Sequence, residues 1–136
     1  MPSPKRLSKA PVVAIVGATG AVGVELIRCL TVRDFPLREL RLLASARSAG
    51  KSLRFRGEAL EVRELTQSSL RGVEIALFSA GNAIAKRFAP IAADAGAIVV
   101  DNSSAFRMDP TVPLVVREIN PEALRLAREF LDPWHM

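Results

Sequence analysis

Val12-Val13-Ala14-Ile15-Val16-Gly17-Ala18-Thr19-Gly20-Ala21-Val22-Gly23 is the stretch whose reading decides the fold. Five apolar residues run straight into three glycines spaced three apart. Beyond them Val22, Leu26 and Leu30 recur at every fourth position, with Ile27 alongside. This pattern predicts a buried strand, a tight glycine turn and an amphipathic helix. Such a turn gathers backbone N–H groups and a helix N-terminus at one point, where a phosphate is the natural guest. In this reading Gly17 permits the turn, Gly20 lets a pyrophosphate approach the backbone, and Gly23 lets the helix sit close to the sheet. The spacing is G-x-x-G-x-x-G, and its weight comes from context: a strand before it and a helix after it. The alternative is a glycine-rich βα turn with no ligand.

Working outward, 136 residues make one domain by length. Apolar residues are 49% of the chain, aromatics only 5%, and tyrosine is missing, so Val, Leu, Ile and Ala must build the core. Buried parallel strands require that composition. Cys29 is the one cysteine, which excludes an internal disulfide and fits a reducing cytoplasm. It lies within the first helix, where it reads as a small buried apolar residue. The net charge of +5 comes mostly from scattered arginines interleaved with Glu. No basic stripe carries interleaved aromatics, so nucleic-acid binding is not expected. A modest positive field favours an anionic cofactor or substrate. No apolar run approaches a membrane span, and the basic start lacks the apolar stretch of a secretory signal. Residues 1–11, with Pro2, Pro4 and Pro11, read as a flexible arm.

Glu39-Leu40-Arg41-Leu42-Leu43-Ala44 is the second strand, roughly 25 residues after the first, a normal βαβ separation. The loop after it is Ser45-Ala46-Arg47-Ser48-Ala49-Gly50-Lys51. An NAD site usually places an acid here to hold the ribose 2′-OH. No acid occurs between Glu39 and Glu58, and Ser45, Arg47, Ser48 and Lys51 stand in its place. Hydroxyls and a guanidinium suit a 2′-phosphate, so the loop predicts NADP over NAD; the alternative is a solvated polar loop.

Residues 52–64 alternate about Gly57-Glu58 and predict a hairpin or two short strands. Residues 66–70 form a short helix candidate, stopped near Gly72. Residues 74–78 make a buried strand ending in Ser79-Ala80-Gly81-Asn82, small residues where open α/β sheets bind ligands. Residues 83–95 read as a helix with a kink at Pro90, closed by Gly96. Residues 97–100 form another apolar strand, which ends in the polar run Asp101 to Pro110. Arg107 in that run reads either as a bidentate holder of a carboxylate or phosphate, or as a surface arginine. Leu114-Val115-Val116 is a last short strand candidate, and Pro121 starts a helix to about Leu131. His135, the only histidine, sits in the tail and is a poor catalytic base; no Cys/His cluster supports zinc.

Four ordered motifs over residues 11 to 124 carry a resemblance. They are Val13 to Gly23, Leu43 to Lys51, Phe78-Ser79-Ala80-Gly81, and Val100-Asp101-Asn102-Ser103-Ser104-Ala105-Phe106-Arg107-Met108-Asp109. Pro113 to Val116 and Glu118-Ile119-Asn120-Pro121 continue it. Together they resemble bacterial aspartate-semialdehyde dehydrogenase. The resemblance implies a Rossmann-like, doubly wound, mostly parallel α/β sheet with helices on both faces. It implies NADPH-dependent reduction of aspartyl phosphate to aspartate semialdehyde in lysine, methionine and threonine biosynthesis. By the same resemblance Gly17, Thr19, Gly20, Ala21, Val22 and Gly23 would meet the cofactor's phosphates. Ser45, Arg47 and Ser48 would hold the 2′-phosphate, and Ser79, Ala80 and Gly81 would lie beside the cofactor. Arg107 and Asn102 would bind the substrate phosphate.

The family's catalytic cysteine lies in an Asn-Cys stretch beyond the Glu-Ile-Asn-Pro segment, and its catalytic histidine lies in a second domain that pairs two subunits. Neither is matched here, Arg117 replaces a usual proline, and residues 125–136 diverge. The expected organisation is therefore an arm (1–11), an NADP-binding domain (12–124) and a divergent tail (125–136). The catalytic and dimerisation domain is expected to be absent, and this chain is expected to be inactive alone. The competing reading is a non-catalytic NADP-binding module, or a cofactor half complemented by another polypeptide. Short-chain dehydrogenases and epimerases share the glycine spacing but need a tyrosine acid/base, which this chain lacks. The Ser-Ala-Arg-Ser-Ala-Gly-Lys loop argues against the related N-acetyl-glutamyl-phosphate reductase.

Overall fold

β1 (Val12–Val16) is the strand on which the domain is built. Four of its five residues are β-branched, which suits a pleated, packed environment, and every one is buried. Because side chains alternate along a strand, β1 feeds two cores. Val12, Ala14 and Val16 enter one cluster with Val73, Phe78, Phe88 and Ala92. Val13 and Ile15 enter the other, with Ile27, Leu30, Leu42 and Val62. A strand buried on both faces must be central. The computed structural model, which describes residues 7–110 and 112, places it there.

β1 pairs in parallel with β2 (Glu39–Ala44) on one side and β5 (Ile75–Phe78) on the other, so that Val16 faces Leu43 and Phe78. β4 (Glu58–Glu64) lies parallel to β2, and β6 (Ile98–Asp101) parallel to β5. β3 (Ser52–Phe55) closes one edge as the antiparallel partner of β4. The sheet order is β3-β4-β2-β1-β5-β6. Helix α1 (Ala21–Val32) covers one face and α2 (Asn82–Asp94) the other. This is the expected Rossmann-like, doubly wound, mostly parallel sheet. The chain runs from β1 outward to β2 and β4 on one side, then crosses back to β5 on the other, so the strand order reverses beside the carboxyl end of β1. Ligands of open α/β sheets bind at such a point.

The expected hairpin forms, turning on Arg56 (φ +50°) and Gly57 (φ +82°), two positive-φ residues as a tight hairpin turn demands. Gly96, at φ +97°, ends α2 as expected: its N–H donates to the Ala93 carbonyl and that of Ala97 to Ala92. Pro90 lies inside α2.

Three expectations need correction. The α1 stripe that faces the sheet is Gly23, Ile27 and Leu30; Val22 is 47% exposed and Leu26 only half-buried. A stripe that begins at a residue without a side chain sends no hydrophobic signal, so the spacing pointed one residue too early. Cys29, beside that stripe, is half-buried rather than buried. The helix expected over 66–70 is a single 3-10 turn at Ser68–Leu70. β6 is apolar yet only partly covered, with Val100 54% exposed, because it is an edge strand among the described residues. The strand expected at Leu114-Val115-Val116, the helix from Pro121 and the position of His135 lie outside the described residues.

Candidate cofactor cleft

The glycine turn is held by the strands it leaves. The N–H groups of Gly17 and Ala18 both donate to the Leu43 carbonyl, at 2.9 and 3.2 Å, and Ser79 N–H donates to the Val16 carbonyl at 2.8 Å. The carboxyl ends of β2, β1 and β5 are thus tied together at one place.

The three glycines differ in why they are glycine. A Cβ on Gly17 would lie 2.3 Å from the Ser79 carbonyl oxygen, and φ there is +89°. A Cβ on Gly23 would lie 2.2 Å from the Gly17 carbonyl oxygen. Both are therefore required by the protein's own packing. A Cβ on Gly20 meets nothing closer than the Gly17 carbonyl at 3.5 Å, an ordinary contact, and its φ of −74° suits any residue. Nothing in the fold requires glycine at position 20.

Gly20 is also the N-cap of α1. It offers no side-chain acceptor, and the first turn carries no acid. α2 starts the same way, from Gly81 at φ +85°, with no side-chain cap and no acid in its first turn. Both helices therefore present uncompensated N–H groups and a partial positive charge beside the carboxyl ends of the strands.

A cleft of about 570 Å³ opens there. Of the residues singled out from the sequence, Gly17, Thr19, Ser45, Ser48 and Ala80 line it. The Thr19 and Ser48 hydroxyls stand 3.5 Å apart and bring the glycine turn to the β2 loop. That loop is braced by its own backbone, with the N–H groups of Ser48 and Ala49 donating to the Ser45 carbonyl. Gly20, Ala21, Val22 and Gly23 form the start of α1 beside the cleft, and Ser79 and Gly81 flank Ala80. Arg47 is exposed on the β2 loop and does not line the cleft wall.

Arg107 and Asn102 are exposed on the loop after β6 and also stand off the wall. That loop is anchored to the start of α2. The Asn82 carboxamide accepts from the Ser104 N–H at 2.9 Å and is bonded to the Ser104 hydroxyl. The Asp101 carboxylate accepts from the Ser103 N–H and hydroxyl, at 2.9 and 2.7 Å.

Sequence reasoning missed one wall and the far end of the cleft. The wall is the apolar face of α2, with Ile84, Phe88 and Ile91, and Arg87 beside it. The far end is Glu64, the last residue of β4, with Leu65, Thr66 and Gln67 directly after it. The available signal was the strand-end rule that singled out residues 79–82. It applies only if β4 runs parallel to β2, and a hairpin reading of 52–64 does not say so. Glu64, opposite Ala44 in the β2·β4 register, is the one carboxylate lining the cleft.

Among the described residues no group of three or more His, Cys, Asp or Glu could hold a metal ion, and no helix is long and apolar enough to cross a membrane.

Residues 12–127 match the family described as semialdehyde dehydrogenase, NAD binding domain. The chain belongs to that family. Within it, the aspartate-semialdehyde dehydrogenase of Synechocystis sp. is 58% identical over 123 residues, covering 90% of this chain and 35% of the relative. The crystal structure of aspartate semialdehyde dehydrogenase II from Vibrio cholerae, complexed with ASA, superposes with a TM-score of 0.81 at 49% identity, covering 90% of this chain and 40% of that one. The aspartate semialdehyde dehydrogenase of Candida albicans, solved with NADP, gives a TM-score of 0.71 at 25% identity, covering 85% of this chain and 36% of that one. The chain spans about a third of the length of the curated relatives it matches. It is an NAD(P)-binding domain of the semialdehyde dehydrogenase family, and the cleft described above sits in that domain.

Proposed function

We propose that this chain is the NADP-holding part of an aspartate-semialdehyde dehydrogenase, which reduces aspartyl phosphate to aspartate semialdehyde. One observation carries the reading: Gly20 is a glycine that the fold does not need. Its missing side chain leaves room at an uncapped helix start, where a pyrophosphate can press against the backbone. When bound, the nicotinamide supplies the hydride. The chain's own residues bind and orient. Thr19, Gly20, Ala21 and Val22 meet the pyrophosphate, while Gly17 and Gly23 shape the turn. Ser45, Arg47 and Ser48 take the 2′-phosphate, and Ser79, Ala80 and Gly81 flank the cofactor. Arg107 and Asn102, on the loop tied to α2 through Asn82, take the substrate phosphate. Cys29 has no part in the chemistry, since it sits on α1 away from the cleft lining.

Calorimetric titration tests the cofactor. NADP is expected to bind at least about tenfold more tightly than NAD, because a charge-assisted guanidinium–phosphate pair contributes that much. Arg47→Ala is expected to erase the difference. Equal affinities in the unaltered chain overturn the NADP assignment.

A second reading, NAD, is favoured by Glu64, whose carboxylate in the cleft could accept from ribose hydroxyls and would repel a 2′-phosphate. Glu64→Gln separates the two. It tightens NADP under the first reading and weakens NAD under the second.

A further inference from the structure

The cleft has one cation on its wall that no part of the cofactor reading above uses. Arg87, on the second turn of α2, lines the cleft together with Ile84, Phe88 and Ile91. Its guanidinium carbon lies 4.8 Å from the centroid of the Phe88 ring, and Phe88 is itself 5% exposed and part of the core. Arg87 makes no ion pair or side-chain hydrogen bond with any described residue. A guanidinium with no carboxylate partner would ordinarily extend into water. This one, though exposed, lies over an anchored aromatic ring beside the apolar residues of the cleft wall.

The cleft has the chemistry of a purine site. One wall is aliphatic and aromatic, from Ile84, Phe88 and Ile91. Ala44 and Ala46 also line the cleft, as does Gln67, which has no side-chain hydrogen bond to any described residue. A purine is flat and apolar on its faces, with a polar edge. A planar guanidinium stacks on such a π-face, whereas an ammonium does not match its shape. A phosphate anchor would sit among the hydroxyls and cation of the β2 loop, whereas Arg87 is carried by α2.

We infer that Arg87 is a cofactor-specificity residue: held by Phe88, its guanidinium stacks on the adenine ring against the α2 wall of the cleft. The inference rests on the cofactor reading above, and it assigns Arg87 a role distinct from that of Arg47. Arg87 recognises the base, and Arg47 recognises the 2′-phosphate.

The test uses the full chain and two probes, 2′,5′-ADP and 5′-AMP, titrated by calorimetry at low and high salt. Arg87 is solvent-facing on its helix, so Arg87→Ala is expected to leave the thermal midpoint in place. Arg87→Ala should weaken both probes by a similar factor, about threefold, since a cation–π contact at an exposed site is of that order. Arg87→Lys should stay close to the alanine variant, because the charge returns without the plane. Arg47→Ala should weaken 2′,5′-ADP alone, with the stronger salt dependence.

Loss confined to 2′,5′-ADP in Arg87→Ala would make Arg87 a phosphate anchor and overturn the inference. Full rescue by Arg87→Lys, or unchanged affinity in Arg87→Ala while the unaltered chain binds, would do the same and leave the cofactor reading standing. An unaltered chain that binds neither probe overturns both.

Discussion

The two ends of one sheet treat their polar groups in opposite ways. At the amino ends of β1 and β5, the Glu74 carboxylate accepts from the Val12 N–H at 2.8 Å and from the Ser8 N–H and hydroxyl, each at 3.2 Å. It also pairs with Arg38 at 3.3 Å. Nearby, Arg41 is largely covered, with 13% of its side chain exposed. It donates to the carbonyls of Ser69 and Arg71 and pairs with Glu39. At the carboxyl ends, two helix starts lack caps, and Arg47, Arg87 and Gln67 have no side-chain hydrogen bond or ion pair among the described residues. A polar group with a protein partner is already spent on the fold, and one left open beside a cleft is available to a ligand. The glycines obey a similar division. Gly17 and Gly23 answer to packing, and no close contact within the described residues requires glycine at position 20.

The largest effect should come from the glycines that packing requires. Gly23→Ala and Gly17→Ala force a Cβ into backbone oxygen and should each cost about 3 kcal/mol in urea unfolding. Gly20→Ala should cost no more than about 1 kcal/mol of stability. Its nucleotide affinity should nonetheless fall by at least about tenfold, since the backbone approach is lost. If Gly20→Ala unfolds the chain as readily as Gly23→Ala, the distinction between the glycines is broken.

Next in size is Arg41→Ala, which strands two carbonyls and the Glu39 carboxylate. It should lower stability by about 2 kcal/mol and leave nucleotide affinity alone. A change in affinity would mean that the two ends of the sheet are coupled.

A smaller effect is expected from Glu74, and it depends on pH. The N–H groups of Val12 and Ser8, more than the Arg38 charge, hold its carboxyl below the ordinary 4.5. A depressed carboxyl stabilises the fold above the unfolded-state value and loses that contribution as pH falls through the folded-state value. Glu74→Gln should therefore flatten the acid limb of the stability profile below about pH 4.5. Its binding isotherm at neutral pH should match that of the unaltered chain. An unchanged acid limb would remove Glu74 from the satisfied end.

The least effect on stability belongs to Arg47→Ala, within about 0.5 kcal/mol, because that side chain is exposed and unpartnered. A larger loss in thermal unfolding would place Arg47 with the groups already used by the fold.

Much of the fold was legible along the chain. β1, β2, β5 and α2 follow from runs and periods of apolar residues, and the hairpin from Gly57 within an alternating stretch. What periodicity misread was the α1 face, because Gly23 makes the closest approach with no side chain to advertise it. The glycine turn was legible because two of its demands are local, a positive φ at Gly17 and short-range contacts at Gly23; the Ser79 carbonyl that also excludes a Cβ at Gly17 lies far along the chain. Arg87 was not legible, since along the chain it is one more solvated helix arginine. The strand-end residues Glu64 to Gln67 were hidden for a different reason. Their place at the cleft depends on β4 lying beside β2, a pairing between segments separated by a loop and a hairpin.

The sequence by itself determined a strand, a glycine turn and a helix that can hold an anion, because backbone torsions and side-chain size act between near neighbours. Only the tertiary structure decided which other residues line the cleft beside that turn. Sheet order brought the end of β4 to the cleft, and packing against the opposite face turned α2 so that Phe88 and Arg87 reached its wall. Those placements arise from contacts between residues far apart in the chain, which no local pattern encodes.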